Sequence, residues 1–230
     1  LHPEYISTKY AYNLVKGEGW RLKTIQHHEA HVASCIVDNN IKGKVIGIAF
    51  DGTGFGLDGN IWGGEFFVGD IKKGLKRAAH LKYIPMPGGE ACIKEPWRMA
   101  FSYLYAIYGK DRLASPGGLG TSSDIASSVA SPAMTGRKWS RNDILQQMID
   151  KKINSPLTSS MGRLFDGVSA LIGVCGIAKY EGEAAIRLEK IISVQGSRLK
   201  AQRKYQFKYT HKNDIITIDW ELVIRGVVED

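Results

Sequence analysis

KVIGIAFDGTGFGLDGNIWGGEFFVGD, residues 44–70, carries the architecture of this chain. Its opening run, Lys44–Phe50, is β-branched, largely apolar and of strand length. The run stops at Asp51, where DGTGFGLDGN packs glycine and aspartate as turn formers do. Ile61–Asp70 resumes as a returning strand, so the segment reads as a hairpin around a Gly/Asp loop.

Upstream, His27–Val37 reads as a helix ending before Asn39-Asn40, and Arg21–Gln26 as a strand edge. Residues 1–20 are short and mixed, with Pro3, Gly17 and Gly19 as breakers. Downstream, Arg77–Met86 reads as another strand, and Glu95–Tyr108 as a helix with Pro96 in its first turn. Residues 114–136 are rich in Ser, Ala and Gly and read as a loop or insertion. Helical patterns follow at Asn142–Ile153, at 159–174 (Leu164, Val168, Leu171 and Ile172 share a spacing) and at Lys179–Ile192. Tyr205–Tyr209 and Ile215–Asp219 suggest a hairpin, and Trp220–Val228 a last helix. Strands alternating with helices argue for a layered α/β or α+β architecture.

With 230 residues, 43% of them hydrophobic, the chain can bury one large domain or two lobes. A net charge of +8, from 31 Lys+Arg against 23 Asp+Glu, suits an anionic partner without choosing among nucleotide, nucleic acid and acidic protein. Cys35, Cys92 and Cys175 form no CxxC pair, which argues against a zinc knuckle or a disulfide scaffold. Free thiols point to a reducing compartment, and the expected localisation is cytoplasmic. No apolar run reaches about 18 residues, so no membrane span is expected. Residues 1–20 lack the apolar core of a secretory signal. The chain opens on Leu1 and not on Met, so a natural start is not expected there.

Three clusters carry chemistry. In His27-His28-Glu29-Ala30-His31, the histidines at 27 and 31 lie one helical turn apart and can grip one divalent metal. His28 sits roughly 100° around the helix and is set aside. Two imidazoles make a weak site, so a carboxylate must come from elsewhere. Asp51-Gly52-Thr53-Gly54-Phe55-Gly56 offers glycines that bring backbone N–H groups close to phosphate, a hydroxyl on Thr53, and a metal-competent carboxylate on Asp51. No Gly-Lys-Ser/Thr follows, so it is not a Walker loop. It leads into a strand, which argues against a dinucleotide fingerprint. Gly162, Arg163 and Asp166, with Glu181 and Gly182, could meet a nucleoside. Arg98, near a helix start, is a further candidate for phosphate. Each cluster also has an ordinary reading as a polar helix face, a glycine-rich hairpin or a helix cap. The residues alone reach a nucleotide or metal site in an α/β protein, with no catalytic residue identified.

Taken together, QHHEAH at 26–31, IAFDGTGFGLDGNIWGGEF at 48–66, HLKYIPMPGGEACIKEPWRMA at 80–100, TSSMGRLFDGVSAL at 158–171 and YEGEAAIRLE at 180–189 resemble the HypF carbamoyltransferases of nickel–iron hydrogenase maturation. The resemblance covers nearly the whole chain. It implies an actin-like ATPase fold of the TsaD type, two-lobed and incomplete at both ends. Residues 1–113 would form a metal and glycine-loop part and 137–230 a helical nucleoside-side part.

The resemblance also implies transfer of a carbamoyl group from carbamoyl-adenylate to the C-terminal cysteine of HypE. The adenylate would come from a YrdC-like domain of the same full-length protein. A divalent metal, zinc or iron, would lie on His27, His31 and Asp51. ATP, ADP or the adenylate would contact Asp51, Gly52, Thr53, Gly54, Asp166, Glu181 and Gly182. The nucleophile would be the partner's thiolate, leaving Cys35, Cys92 and Cys175 as core residues. A TsaD-type tRNA threonylcarbamoyl transferase and a small-molecule O-carbamoyltransferase are the rival readings. A non-catalytic nucleic-acid module lacks any recognisable motif, so a nucleic-acid partner is not expected.

Overall fold

β1 (Val45–Phe55) and β2 (Ile61–Asp70) are the hairpin on which the rest is assembled. The computed structural model describes residues 2, 4–16, 19–114, 141–195 and 206–229. Before the hairpin come α1 (Ile6–Leu14) and α2 (His27–Asp38). After it come β3 (Gly74–Leu81), β4 (Ile84–Pro85), α3 (Ala91–Lys94) and α4 (Trp97–Ala114). α5 (Arg141–Asp150), β5 (Leu157–Thr158), α6 (Met161–Leu171) and α7 (Glu183–Gln195) follow. β6 (Lys208–Lys212), β7 (Ile215–Asp219) and α8 (Glu221–Glu229) complete the described elements.

The strands form one seven-stranded sheet in the order β4-β5-β2-β3-β7-β6, with β1 along the other side of β2. Among the described residues two separate cores result. One gathers Val32, Ile36, Ala49, Trp62 and Phe67 beneath α2. The larger unites Leu81 and Ile84 with Met99, Tyr103 and Leu104 of α4, Leu164 and Leu171 of α6, and Ile224 of α8. Neighbours Ile61 and Trp62 go to different cores. Successive strand side chains point to opposite faces, so adjacent residues of β2 serve different cores, while Ile46, Ile48 and Phe50 of β1 stay exposed.

Several expectations are corrected. β1 does not stop at Asp51 but runs through the glycines to Phe55, because Gly54 and Phe55 still pair with Trp62 and Ile61. Phe50 faces Gly64 and Gly54 faces Trp62, so Asp51, Gly52 and Thr53 stand opposite Gly63 alone. This bulge re-aims Asp51. Arg21–Gln26 forms no strand. The strand expected at Arg77–Met86 breaks at Lys82–Tyr83, where Lys82 N–H donates to the Ile218 carbonyl of β7. Ile6–Leu14 is helical despite its flanking breakers. The β6–β7 hairpin starts later than expected and joins the main sheet, with β7 parallel to β3. Apart from the helix end at Ala114, the loop or insertion expected at 114–136 lies outside the described residues. No described helix is long and apolar enough to cross a membrane.

Candidate metal and nucleotide site

α2 begins at an unusual cap. The Gln26 side-chain oxygen accepts the backbone N–H groups of His28 (2.7 Å) and Glu29 (3.0 Å), satisfying donors that every helix start leaves open. The amide nitrogen of Gln26 lies 3.0 Å from His28 Nδ1 and 3.0 Å from the Phe55 carbonyl oxygen. One side chain therefore ties the start of α2 to the end of β1.

The first turn of α2 lies against the β1 bulge. His27 Nε2 is 2.9 Å from Asp51 Oδ2 and 3.1 Å from His31 Nε2, and His31 Nε2 is 4.0 Å from the same carboxylate oxygen. Two imidazole nitrogens at that separation must share a proton or a cation. Gly52 N–H donates to Asp51 Oδ1 at 2.7 Å, which leaves Oδ2 facing the histidines. Two nitrogens and one carboxylate oxygen converging from a helix and a strand form a donor set suited to a divalent cation.

His28 also reaches this point, contrary to the expectation from helical angle alone. It is fully buried, and its Nε2 lies 3.6 Å from Asp51 Oδ2. Its ring meets Trp62 on the other side, at 6.1 Å between centroids. A 100° offset does not remove a side chain from a site when β1 packs against two faces of the turn. Burial pushes His28 down to about 4, against the opposing pull of Glu65 and Asp51, so it is neutral. Gly54 makes room for this packing. A Cβ there would come within 2.4 Å of His28 Cε1 and 2.8 Å of His27 Cδ2.

The other half of the site is the start of α6. Ser160 caps that helix by accepting the Arg163 N–H at 3.1 Å. Its hydroxyl lies 2.8 Å from the Asp51 carbonyl oxygen and 2.7 Å from that of Gly52. Gly162 permits the approach, because a Cβ there would sit 2.9 Å from Gly52 Cα. Arg163 and Asp166, both nearly buried, pair at 2.9 Å between Nε and Oδ2 without aligned hydrogen-bond geometry. Burial outweighs the Arg163 charge and raises Asp166 to about 6.

Of the residues expected at a nucleotide, Asp51, Gly52, Asp166, Glu181 and Gly182 line one cavity of about 290 Å³, together with Arg163. Thr53 and Gly54 fall instead on a second cavity of about 420 Å³, beside His27, Tyr5 and Glu90. The bulge explains the split, since it turns the strand between Gly52 and Thr53. Arg98 lines neither cavity; it pairs with Glu95 and lies 5.2 Å from the Trp97 ring centre. Cys92 is core as expected, pushed up to about 12 by burial, but Cys35 is exposed.

Gln26, His28 and Ser160 belong to the site although no sequence motif marks them as such. Gln26 is not among the usual capping residues, and Ser160 acts across 109 residues of sequence on the Asp51 carbonyl. The signal available for His28 was its place inside the histidine cluster.

The profile of the second subdomain of the carbamoyltransferase Kae1-like domain matches residues 47–230, and that of the HypF Kae1-like domain matches residues 1–38. The chain belongs to the HypF family. A carbamoyltransferase HypF of Synechocystis is 33% identical over the whole chain, which covers 29% of that relative. HypF of Rhodobacter capsulatus is 40% identical over 85% of the chain, which covers 24% of it. The chain thus spans under a third of the length of both HypF relatives. The crystal structure of a full-length HypF in its phosphate- and nucleotide-bound form superposes with a TM-score of 0.78 at 38% identity, over 100% of this chain and 26% of that one. HypF of T. kodakarensis gives 0.69 at 30% identity, over 99% of this chain and 28% of that one. The mixed α/β fold is that of the HypF Kae1-like domain.

Proposed function

We propose that this chain performs carbamoyl transfer in nickel–iron hydrogenase maturation, from carbamoyl-adenylate to the C-terminal cysteine of HypE. The observation that carries the reading is the position of Asp51. Its carboxylate faces His27 and His31, while the residue itself lines the cavity that also holds Gly52, Arg163, Asp166 and Glu181. A cation site and a nucleotide-sized cavity thereby share one residue. A full-length HypF, of which this chain covers 26%, was solved in a phosphate- and nucleotide-bound form, so nucleotide binding occurs in a relative of this chain.

In this reading His27, His31 and Asp51 hold zinc or iron, which when bound neutralises phosphate charge and polarises the carbamoyl carbonyl. The Gly52 backbone approaches the phosphate, and the buried Arg163 guanidinium adds positive charge beside it. Asp166 and Glu181 accept nucleoside hydroxyls. The acceptor sulfur attacks the carbamoyl carbon, its bond to the phosphate oxygen breaks, and AMP leaves with the electron pair. The buried Cys92 thiol, raised to about 12, is unsuited to serve as nucleophile. In this reading the attacking thiolate is the partner's. A YrdC-like domain supplies the adenylate.

The test combines the chain with a YrdC-like domain, carbamoyl phosphate, ATP and HypE, and follows the HypE terminal cysteine by mass spectrometry. Carbamoylation that requires the chain and is lost in Asp51→Asn supports the proposal. Unchanged HypE in the presence of the wild-type chain contradicts it.

A further inference from the structure

The hydrogen bonds around Gln26 point to a role for His28 that its neighbours do not have. The orientation of the Gln26 amide is fixed without reference to His28. Its oxygen faces two backbone N–H donors, and its nitrogen faces the Phe55 carbonyl oxygen at 3.0 Å. Turning the amide over would set donor against donor and acceptor against acceptor. The second amide proton therefore points at His28 Nδ1, 3.0 Å away, and Nδ1 must accept it.

That acceptance settles the tautomer. A neutral imidazole accepting at Nδ1 carries its proton on Nε2. This Nε2 is buried, has no hydrogen-bond partner within the protein, and faces Asp51 Oδ2 at 3.6 Å. To coordinate a cation through Nε2, His28 would have to move its proton to Nδ1, against the Gln26 amide. His27 and His31 carry no such constraint, since their Nε2 atoms face each other and Asp51.

The geometry points to His28 as a positioning residue: a neutral imidazole, locked by Gln26, whose Nε2–H faces the Asp51 carboxylate electrostatically from 3.6 Å without a hydrogen bond, and which stays out of the coordination shell. Its effect on metal affinity rests on the proposed metal reading; the tautomer does not. Outer-shell donors of this kind change affinity by about 10- to 100-fold.

The experiment is a long-range proton–nitrogen NMR spectrum of the histidine side chains of the full chain, recorded at neutral pH with and without zinc. His28 should show a protonated Nε2 and an unprotonated Nδ1 in both samples, while zinc shifts His27 and His31. Gln26→Glu, which replaces the amide donor by an acceptor, should move the His28 proton to Nδ1. His28→Leu should weaken zinc binding about tenfold, and His28→Gln, which keeps a donor, should restore most of it. A proton on Nδ1 of wild-type His28, or loss of its Nε2 proton on adding zinc, overturns the inference. If zinc shifts none of the three histidines, the metal reading fails, and the tautomer still decides whether Gln26 locks His28.

Discussion

The hydroxyl of Ser160 lies 2.8 Å from the carbonyl oxygen of Asp51, and through this contact the start of α6 holds the strand that carries the site. The same hydroxyl caps α6. Ser160→Ala removes both functions. The expected loss is about 1–2 kcal/mol of stability, read by urea unfolding, since a lost cap alone costs about 1. Nucleotide affinity should fall with it, and an unchanged affinity would separate Ser160 from the site.

Gly54→Ala places a methyl group within 2.4 Å of the His28 ring, where neither the imidazole nor the paired strand can give way cheaply. Overpacking of this kind costs about 1–3 kcal/mol. Zinc binding should be lost along with that stability. Gly176→Ala, which meets nothing within 4 Å, is the control and should be near neutral in both measurements.

Glu65 is fully buried at the centre of a polar network. Arg77 Nε reaches it at 2.6 Å and the Ser159 hydroxyl at 2.5 Å, while Arg77 also covers the Trp62 ring at 3.7 Å. Glu65→Leu leaves the mostly buried Arg77 charge without this partner and should cost about 3–5 kcal/mol. Adding Arg77→Met should recover part of that loss. Denaturant unfolding of the two single variants and the double variant measures the coupling directly.

Asp166 gives the fold a pH dependence. Its carboxyl is raised from 3.8 to about 6, so the folded chain holds this proton more tightly than the unfolded chain. The associated stability is complete below about 3.8 and is lost as pH rises through about 6. At about 1.4 kcal/mol per pH unit, the change is on the order of 2–3 kcal/mol. The difference in unfolding free energy between wild type and Asp166→Asn, measured across that window, should drift accordingly and then level off.

Much of this was legible in the chain itself. The β1–β2 hairpin, the helix at 27–37 and the His27/His31 pairing follow from periodicity and spacing, because each depends on residues close in sequence; Asp51, 24 residues from His27, joins them only through the family resemblance. What sequence could not provide was long-range geometry. The bulge opposite Gly63 depends on strand register, and it separates Gly52 from Thr53 into different cavities. The joining of β7 to β3 depends on a parallel pairing between distant segments. His28 reaches the site for a related reason: helical angle describes an isolated helix, whereas β1 packs across two faces of its first turn.

The most direct test of the account is zinc stoichiometry, by elemental analysis after dialysis, for the wild-type chain and the His27→Ala/His31→Ala variant, each with and without ADP. The account predicts about one zinc per wild-type chain, higher occupancy with ADP, and none in the variant. Zinc retained by the variant, or absent from the wild-type chain under both conditions, would contradict it.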